Sequence, residues 1–186
     1  MIILPRRPSS IGPEHVIVYS GKGSETIQEA YNKTRGSAPD AVVYGADSPD
    51  AFVKLLAKYR DGGRKISQLE FNTHGSPGFI SFGGQAMGAA YLRGIAGRGF
   101  DAALTAGAHV FCHGCNVAEG NQGNDFLVAF GETLLRRGGI VSGSTSVGIG
   151  TGNWGNGKVY HLWGNTKRVI MGADGKVAEK INFDAW

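Results

Sequence analysis

Residues 107–120, with the sequence GAHVFCHGCNVAEG, contain both cysteines of the 186-residue chain. An apolar run over residues 108–112 leads to Gly114 and Cys115, and a polar turn follows. A short apolar run that stops at a glycine is typical of a buried strand. The pattern therefore predicts a strand whose carboxyl end presents the side chain of Cys115.

A second segment of the same form lies upstream, at residues 69–78, LEFNTHGSPG. Leu69 and Phe71 alternate with polar residues, which predicts a strand over residues 66–73. That strand ends at His74. Because the carboxyl ends of parallel strands meet at one edge of a sheet, we expect Cys115 and His74 to meet in space.

Predicted strands and helices alternate along most of the chain, which favours an α/β fold. We expect a three-layer α/β/α sandwich with a mostly parallel central sheet, helices on both faces, a small β-ribbon over residues 78–84 and a C-terminal β-hairpin. Residues 1–13 are an irregular lead-in, and residues 14–186 form one domain. The predicted strands are 15–19, 41–44, 66–73, 108–112, 139–143, 159–163, 168–171 and one from 177; the predicted helices are 24–36, 48–62 and 124–137, with a weaker helical region over 87–105.

Composition excludes several classes of protein. The chain is 41% hydrophobic and 18% charged, and it has no apolar run near the roughly 20 residues that cross a bilayer. Its net charge of +4 is spread over scattered basic residues, which argues against nucleic-acid binding. Residues 1–13 lack the apolar core of a signal peptide, so we expect a cytoplasmic protein or one exported by a leaderless route.

Three places at the carboxyl ends of strands could carry chemistry: His74, Cys115 and the loop over residues 142–148. Imidazole next to a cysteine promotes the thiolate, which is the nucleophile. The backbone amides of Gly75 and Cys115 could face an oxyanion. The residues expected to line a pocket for a peptide or protein substrate are Ser142, Ser144, Thr145, Ser146, Asn153 and Trp154. This chemistry requires no metal and no organic cofactor.

The motifs HGSPG at residues 74–78 and GCNVA at residues 114–118 resemble those of caspase-like cysteine peptidases. The pattern is most similar to an uncharacterised bacterial caspase-like domain found in large surface proteins, and more distantly to the self-processing protease domains of toxins. The resemblance covers roughly residues 40–165, including a Gly-Trp segment over 152–163. It implies a caspase-like fold and a cysteine endopeptidase, with Cys115 as nucleophile and His74 as general acid/base. The chain departs from the family pattern at Cys112 and His113.

Other functions stay open at this point. Cys112 and Cys115 form a Cys-x-x-Cys pair, the motif of thiol redox proteins, although thioredoxin-like domains carry it near the first strand and helix. A metal site could use Cys112, Cys115, His113 and His74, but structural zinc usually takes two separated ligand pairs. An inactive caspase-like binding module also fits the sequence. The oligomeric state is not predicted.

Several of these residues have plainer structural interpretations. Cys112 continues the apolar run and is predicted to lie in the core, and Cys115 itself could be a buried structural thiol. His113 is expected at the surface of the turn. The remaining histidines, His15, His109 and His161, fall within predicted strands and are expected to be structural.

Overall fold

The computed structural model describes residues 12–20, 40–146 and 165–183, and within them the protein is a mixed α/β fold with ten strands and three α-helices. The strands are β1 Glu14–Ser20, β2 Val42–Ala46, β3 Ile66–Asn72, β4 His74–Ser76, β5 Phe79–Phe82, β6 Gln85–Gly88, β7 Leu104–Cys112, β8 Gly139–Ser144, β9 Thr166–Met171 and β10 Val177–Ile181. The helices are α1 Pro49–Asp61, α2 Ala89–Ile95 and α3 Gly120–Leu134, with a 3₁₀ turn at Phe100–Ala103.

Seven strands form the main sheet, in the order β10-β9-β8-β7-β3-β1-β2. The pairs from β2 to β8 are all parallel. The C-terminal hairpin of β9 and β10 is antiparallel and extends the sheet beyond β8. A mostly parallel sheet and a C-terminal hairpin are therefore confirmed.

Helix α1 begins where its sequence predicts. The Ser48 hydroxyl accepts a hydrogen bond from the Ala51 amide at 3.2 Å, and Pro49 occupies the first turn. A serine N-cap satisfies a backbone donor that no carbonyl within the helix can reach. The helix ends at Asp61, with Gly62 as its C-cap, also as predicted.

The three described helices pack on the same face of the sheet. The ring of Phe71 in β3 lies 5.0 Å from Phe52 of α1 and 5.6 Å from Phe130 of α3. Helix α2 packs against α3, where the Thr133 hydroxyl donates to Leu92 O at 3.2 Å. The helix predicted over residues 24–36 lies outside the described residues, so helices on both faces stay a prediction.

The opposite face of the sheet carries the alternate residues of each strand. Ile17 and Tyr19 form a small apolar cluster with Val43 there, whereas Val16 and Val18 join the main core under the helices. In a strand, successive side chains point to opposite faces. This second face also contains several of the chain's polar side chains, described below.

The helical region predicted over residues 87–105 contains α2 and the 3₁₀ turn, but its first residues belong to β6 and its last to β7. Among the boundaries that differ from the prediction, two differ because of glycine. Helix α3 begins at Gly120 rather than residue 124; its polar first turn resembles a loop, yet a Cβ at Gly123 would lie 2.1 Å from the carbonyl carbon of Ala118, so glycine permits this tight packing. Strand β7 begins at Leu104 rather than residue 108, across the left-handed Gly107 (φ 73°). The strand predicted over 159–163 lies outside the described residues.

Candidate functional site

A small antiparallel sheet, β4-β5-β6, lies at the carboxyl edge of the main sheet. The Gly78 amide at its β4–β5 turn donates to Val117 O at 3.1 Å, beyond the end of β7. The Gly83 amide at its β5–β6 turn donates to the Ser20 hydroxyl at 3.0 Å, at the end of β1. The predicted ribbon is therefore confirmed as the middle of a larger sheet that also contains His74.

Strand β4, which follows β3, touches the loop after β7 backbone to backbone. A Cβ built on Gly75 would lie 2.8 Å from Gly114 Cα and 2.9 Å from Cys115 O. A Cβ built on Gly114 would lie 2.9 Å from Gly75 Cα and 3.1 Å from Gly75 N. Contacts below 3.0 Å leave no room for a side chain on either residue. Both positions therefore require glycine for this approach.

This contact brings together the backbones that carry the predicted catalytic pair. The carbonyl carbon of His74 lies 3.4 Å from the Cβ position of Gly114. His74 is exposed, and Cys115 is half-buried. An accessible imidazole and an accessible thiol are what a nucleophilic site needs.

The turn that carries Cys115 is held by the end of β8. The Asn116 amide donates to Ser146 O at 3.0 Å, and the Ala118 amide donates to Ser144 O at 2.8 Å. Asn116 takes a left-handed conformation, with φ 54°, which asparagine tolerates better than most residues. The turn is thus fixed to the end of β8 immediately after the cysteine.

Cys112 lies in the core, as predicted. It is 2% exposed at the end of β7, and burial raises the pKa of its thiol. Desolvation disfavours the thiolate. Of the two thiols, Cys112 is therefore poorly suited to act as a nucleophile.

The expectation of a surface His113 is wrong. Its side chain is 3% exposed, and its Nε2 lies 3.2 Å from Glu70 Oε2. Its amide donates to Phe71 O at 3.0 Å, which continues the parallel pairing of β7 with β3 by one residue. The side chain therefore points to the sheet face opposite the helices, rather than to solvent.

Glu70 is a fully buried carboxylate on that face, and the sequence alone did not single it out. His15 Nε2 lies 2.7 Å from its Oε1, and the Gln68 amide nitrogen donates to the same oxygen at 2.6 Å. Burial acts to raise the pKa of Glu70, but hydrogen bonds from His113 and His15 outweigh it and lower the pKa to about 2. An ionised carboxylate only accepts hydrogen bonds, so both imidazoles donate through Nε2.

The other histidines predicted to be structural lie in strands where the structure describes them. His15 is in β1 and contacts Glu70, and His109 is in β7 with its ring 4.3 Å from that of Phe111. Burial, with a smaller effect of Arg168, lowers the pKa of His109. His161 lies outside the described residues.

Four of the six predicted substrate-pocket residues lie in the part of the chain that the structure describes. Ser142 and Ser144 belong to β8 and are 3% and 2% exposed, and Ser146 is 9% exposed. Thr145 is partly exposed, and its hydroxyl donates to Asn165 O at 2.9 Å. Asn153 and Trp154 lie outside the described residues, so the pocket as a whole stays a prediction.

Some buried polar atoms at this edge have no hydrogen-bond partner among the described residues: both side-chain amide atoms of Asn72 and the hydroxyls of Thr73, Ser142 and Ser146. Asn72 and Thr73 immediately precede His74, and the sequence analysis missed them. Unpaired buried polar groups are uncommon in proteins. Their position directly before a predicted catalytic residue is the signal that could have identified them.

Residues 12–20, 40–146 and 165–183 lack a metal-binding cluster and a membrane-spanning helix. No group of three or more His, Cys, Asp or Glu side chains there is arranged to hold a metal ion. None of the helices in this part of the chain is long and apolar enough to cross a membrane.

Residues 24–157, well over half of the chain, match the family described as a domain of unknown function, DUF4347. The chain belongs to this family. The matched range of DUF4347 includes His74, Cys115 and the end of β8. The contact between Gly75 and Gly114 therefore lies within the family domain. Neither the curated proteins nor the solved structures yielded a match to the chain.

Proposed function

We propose that this DUF4347 domain is a cysteine endopeptidase of caspase-like α/β/α fold, acting on a peptide or protein substrate through Cys115 and His74. The observation that carries the proposal is the backbone contact between Gly75 and Gly114. It joins the two segments that follow the adjacent parallel strands β3 and β7. Strand β4 carries His74 and the loop after β7 carries Cys115, the two side chains that the chemistry needs. The resemblance of residues 74–78 and 114–118 to caspase-like motifs supports the same assignment.

In the proposed reaction the thiolate of Cys115 attacks the carbonyl carbon of a peptide bond. The amides of Gly75 and Cys115 stabilise the oxyanion of the tetrahedral intermediate. His74 then protonates the amine that leaves, which gives a thioester between Cys115 and the acyl part of the substrate. Water, deprotonated by His74, hydrolyses this thioester and regenerates the thiol.

The glycine contact suits this chemistry for a physical reason. Backbone donors stabilise an oxyanion only when they are already in place. Strand β4 and the loop after β7 are in van der Waals contact and therefore have little freedom to move. The carbonyl oxygens of Ser144 and Ser146, at and just beyond the end of β8, accept hydrogen bonds from the turn that carries Cys115. The nucleophile is thus positioned by backbone contacts with two neighbouring strands.

The redox alternative is less well supported by the structure. A dithiol that cycles with a disulfide needs a thiolate and access for its redox partner. Cys112 is 2% exposed within the core, and the pKa of its thiol is raised by burial. Both properties oppose that role.

The experiment uses the full chain with a peptide library and a thiol-reactive peptide electrophile. We expect Cys115→Ala to abolish cleavage and His74→Ala to lower kcat by about 10² to 10⁴. Cys112→Ala is the matched control, since it removes the other thiol, and it should retain cleavage and labelling. Equal labelling of the two cysteines, or cleavage that survives Cys115→Ala, would contradict the mechanism.

A further inference from the structure

The buried carboxylate of Glu70 joins strand β3 to the loop that carries the proposed nucleophile. We propose that Glu70 and His113 are positioning residues: their contact holds the backbone of Cys115 in register with His74. The inference rests on the proposed function and adds two residues that neither touch the substrate nor belong to the Cys115–His74 pair. It concerns the sheet face opposite the three described helices.

His113 has two attachments to β3. Its amide donates to Phe71 O at 3.0 Å, and its Nε2 lies 3.2 Å from Glu70 Oε2. It precedes Cys115 by two residues. Displacement of His113 therefore displaces the nucleophile.

Strand β3 also delivers the other half of the site. Glu70 lies four residues before His74 on the same chain segment. The hydrogen bond that His113 donates to Glu70 thus fixes the Cys115 loop relative to the segment that carries His74. The Gly75–Gly114 contact sets how closely β4 and the loop after β7 approach each other. The Glu70–His113 contact sets the orientation of the loop after β7.

The carboxylate is itself held from the side away from the nucleophile. His15 Nε2 and the Gln68 amide both bind Oε1, at 2.7 and 2.6 Å, which leaves Oε2 for His113. The ring of Phe111 stacks on that of His113, with centroids 6.0 Å apart and planes inclined by 4°. The position of the carboxylate and the plane of the imidazole are therefore both constrained.

A charge at this position needs an explanation. The cross-strand neighbours of Glu70 are Ile17 and Phe111, so the same row of the sheet face accommodates apolar side chains. Replacing a buried ion pair by apolar residues of similar volume is often neutral or stabilising. An apolar residue cannot form a directional hydrogen bond with His113. The site needs that hydrogen bond, because small displacements of catalytic groups lower the rate.

The test compares Glu70→Gln and His113→Gln with His15→Gln as the matched control. All three change one member of the same cluster, but His15 lies on β1 and contacts Oε1 of Glu70, whereas His113 contacts Oε2. Two quantities are measured: kcat and KM on a cleaved peptide, and hydrogen–deuterium exchange of the His113, Asn116 and Ala118 amides, which are hydrogen-bonded in the wild type. Thermal unfolding of each variant shows whether the three are destabilised to a similar degree.

We expect Glu70→Gln and His113→Gln to lower kcat at least tenfold with KM changed less than about threefold, because the nucleophile moves while the substrate contacts remain. Exchange of the three loop amides should rise at least tenfold in both variants. In His15→Gln, kcat should stay within about twofold and loop exchange within about threefold, because the Gln68 side chain still donates to Oε1 of Glu70. A merely structural cluster would instead give all three variants the same losses, and that result would overturn the proposal.

Failure of the proposed function gives a different pattern. If wild-type protein neither cleaves peptides nor reacts with the electrophile, the peptidase assignment fails, while loop exchange still tests the positioning role. Faster loop exchange in Glu70→Gln and His113→Gln but not in His15→Gln would then support that role alone. Unchanged exchange in the first two variants refutes it whatever the activity of the protein.

Discussion

Acid should destabilise this protein through Glu70. The pKa of this buried carboxyl is lowered from 4.5 to about 2 in the folded protein. A group whose folded pKa is depressed contributes stability above its unfolded pKa and loses that contribution as the pH falls through the folded value. The contribution of Glu70 is therefore complete above about pH 5 and lost towards pH 2.

The size of this contribution follows from the shift. A difference of about 2.5 pH units, at about 1.4 kcal/mol per unit, corresponds to about 3 kcal/mol at pH 7. Between pH 7 and pH 3 about 2 kcal/mol of this is lost, since pH 3 lies below the unfolded pKa but above the folded one. Glu70→Gln removes the titrating group and keeps the shape of the side chain.

Urea unfolding followed by far-ultraviolet circular dichroism at pH 7, 5 and 3 measures this effect. From pH 7 to pH 3, the wild-type free energy of unfolding should fall by about 2 kcal/mol more than that of Glu70→Gln. Glu179→Gln is the control, because it removes an exposed carboxylate on β10, and it should follow the wild type. The same pH dependence in wild type and Glu70→Gln would refute the reasoning.

Four further substitutions test other parts of the structure. Gly75→Ala or Gly114→Ala places a Cβ within 3 Å of the facing loop; we expect at least a tenfold loss of kcat in the peptide assay and about 1 to 3 kcal/mol of stability in urea unfolding. Gly94→Ala meets no atom within 4 Å in helix α2, so urea unfolding should show stability unchanged or raised by about 0.5 to 1 kcal/mol; a loss would contradict the described surroundings. Tyr59→Phe removes the 2.7 Å hydrogen bond from its hydroxyl to Glu14 Oε2, and should cost about 2 kcal/mol at pH 7 by the same measurement.

Local pattern predicted the elements well wherever a single segment contains the whole signal. The apolar run over residues 108–112 predicted β7, and Ser48 with Pro49 predicted the start of α1. Each signal depends on residues within a few positions of one another. The boundaries of α3 and β7 were missed because glycines at their ends resemble loop residues.

The candidate site was predicted in part for the same reason. His74 and Cys115 each end a strand signal, and a parallel sheet places such ends at one edge. Glu70 and His113 were not linked by the sequence analysis, because their partnership spans 43 residues and depends on β3 and β7 being neighbours. A strand pattern indicates which face a side chain occupies, but not which strand lies beside it.

The sequence by itself determined the alternation of strands and helices, the buried position of Cys112 and the placement of His74 and Cys115 at strand ends. Only the tertiary structure decided that Gly75 and Gly114 touch, that His113 is buried, and that Glu70 binds histidines from both neighbouring strands. The physical reason is the separation along the chain over which each interaction acts. Caps, turns and periodicity act over a few residues, whereas burial, ion pairing and close backbone contact depend on strand order and register, which bring together residues distant in the chain.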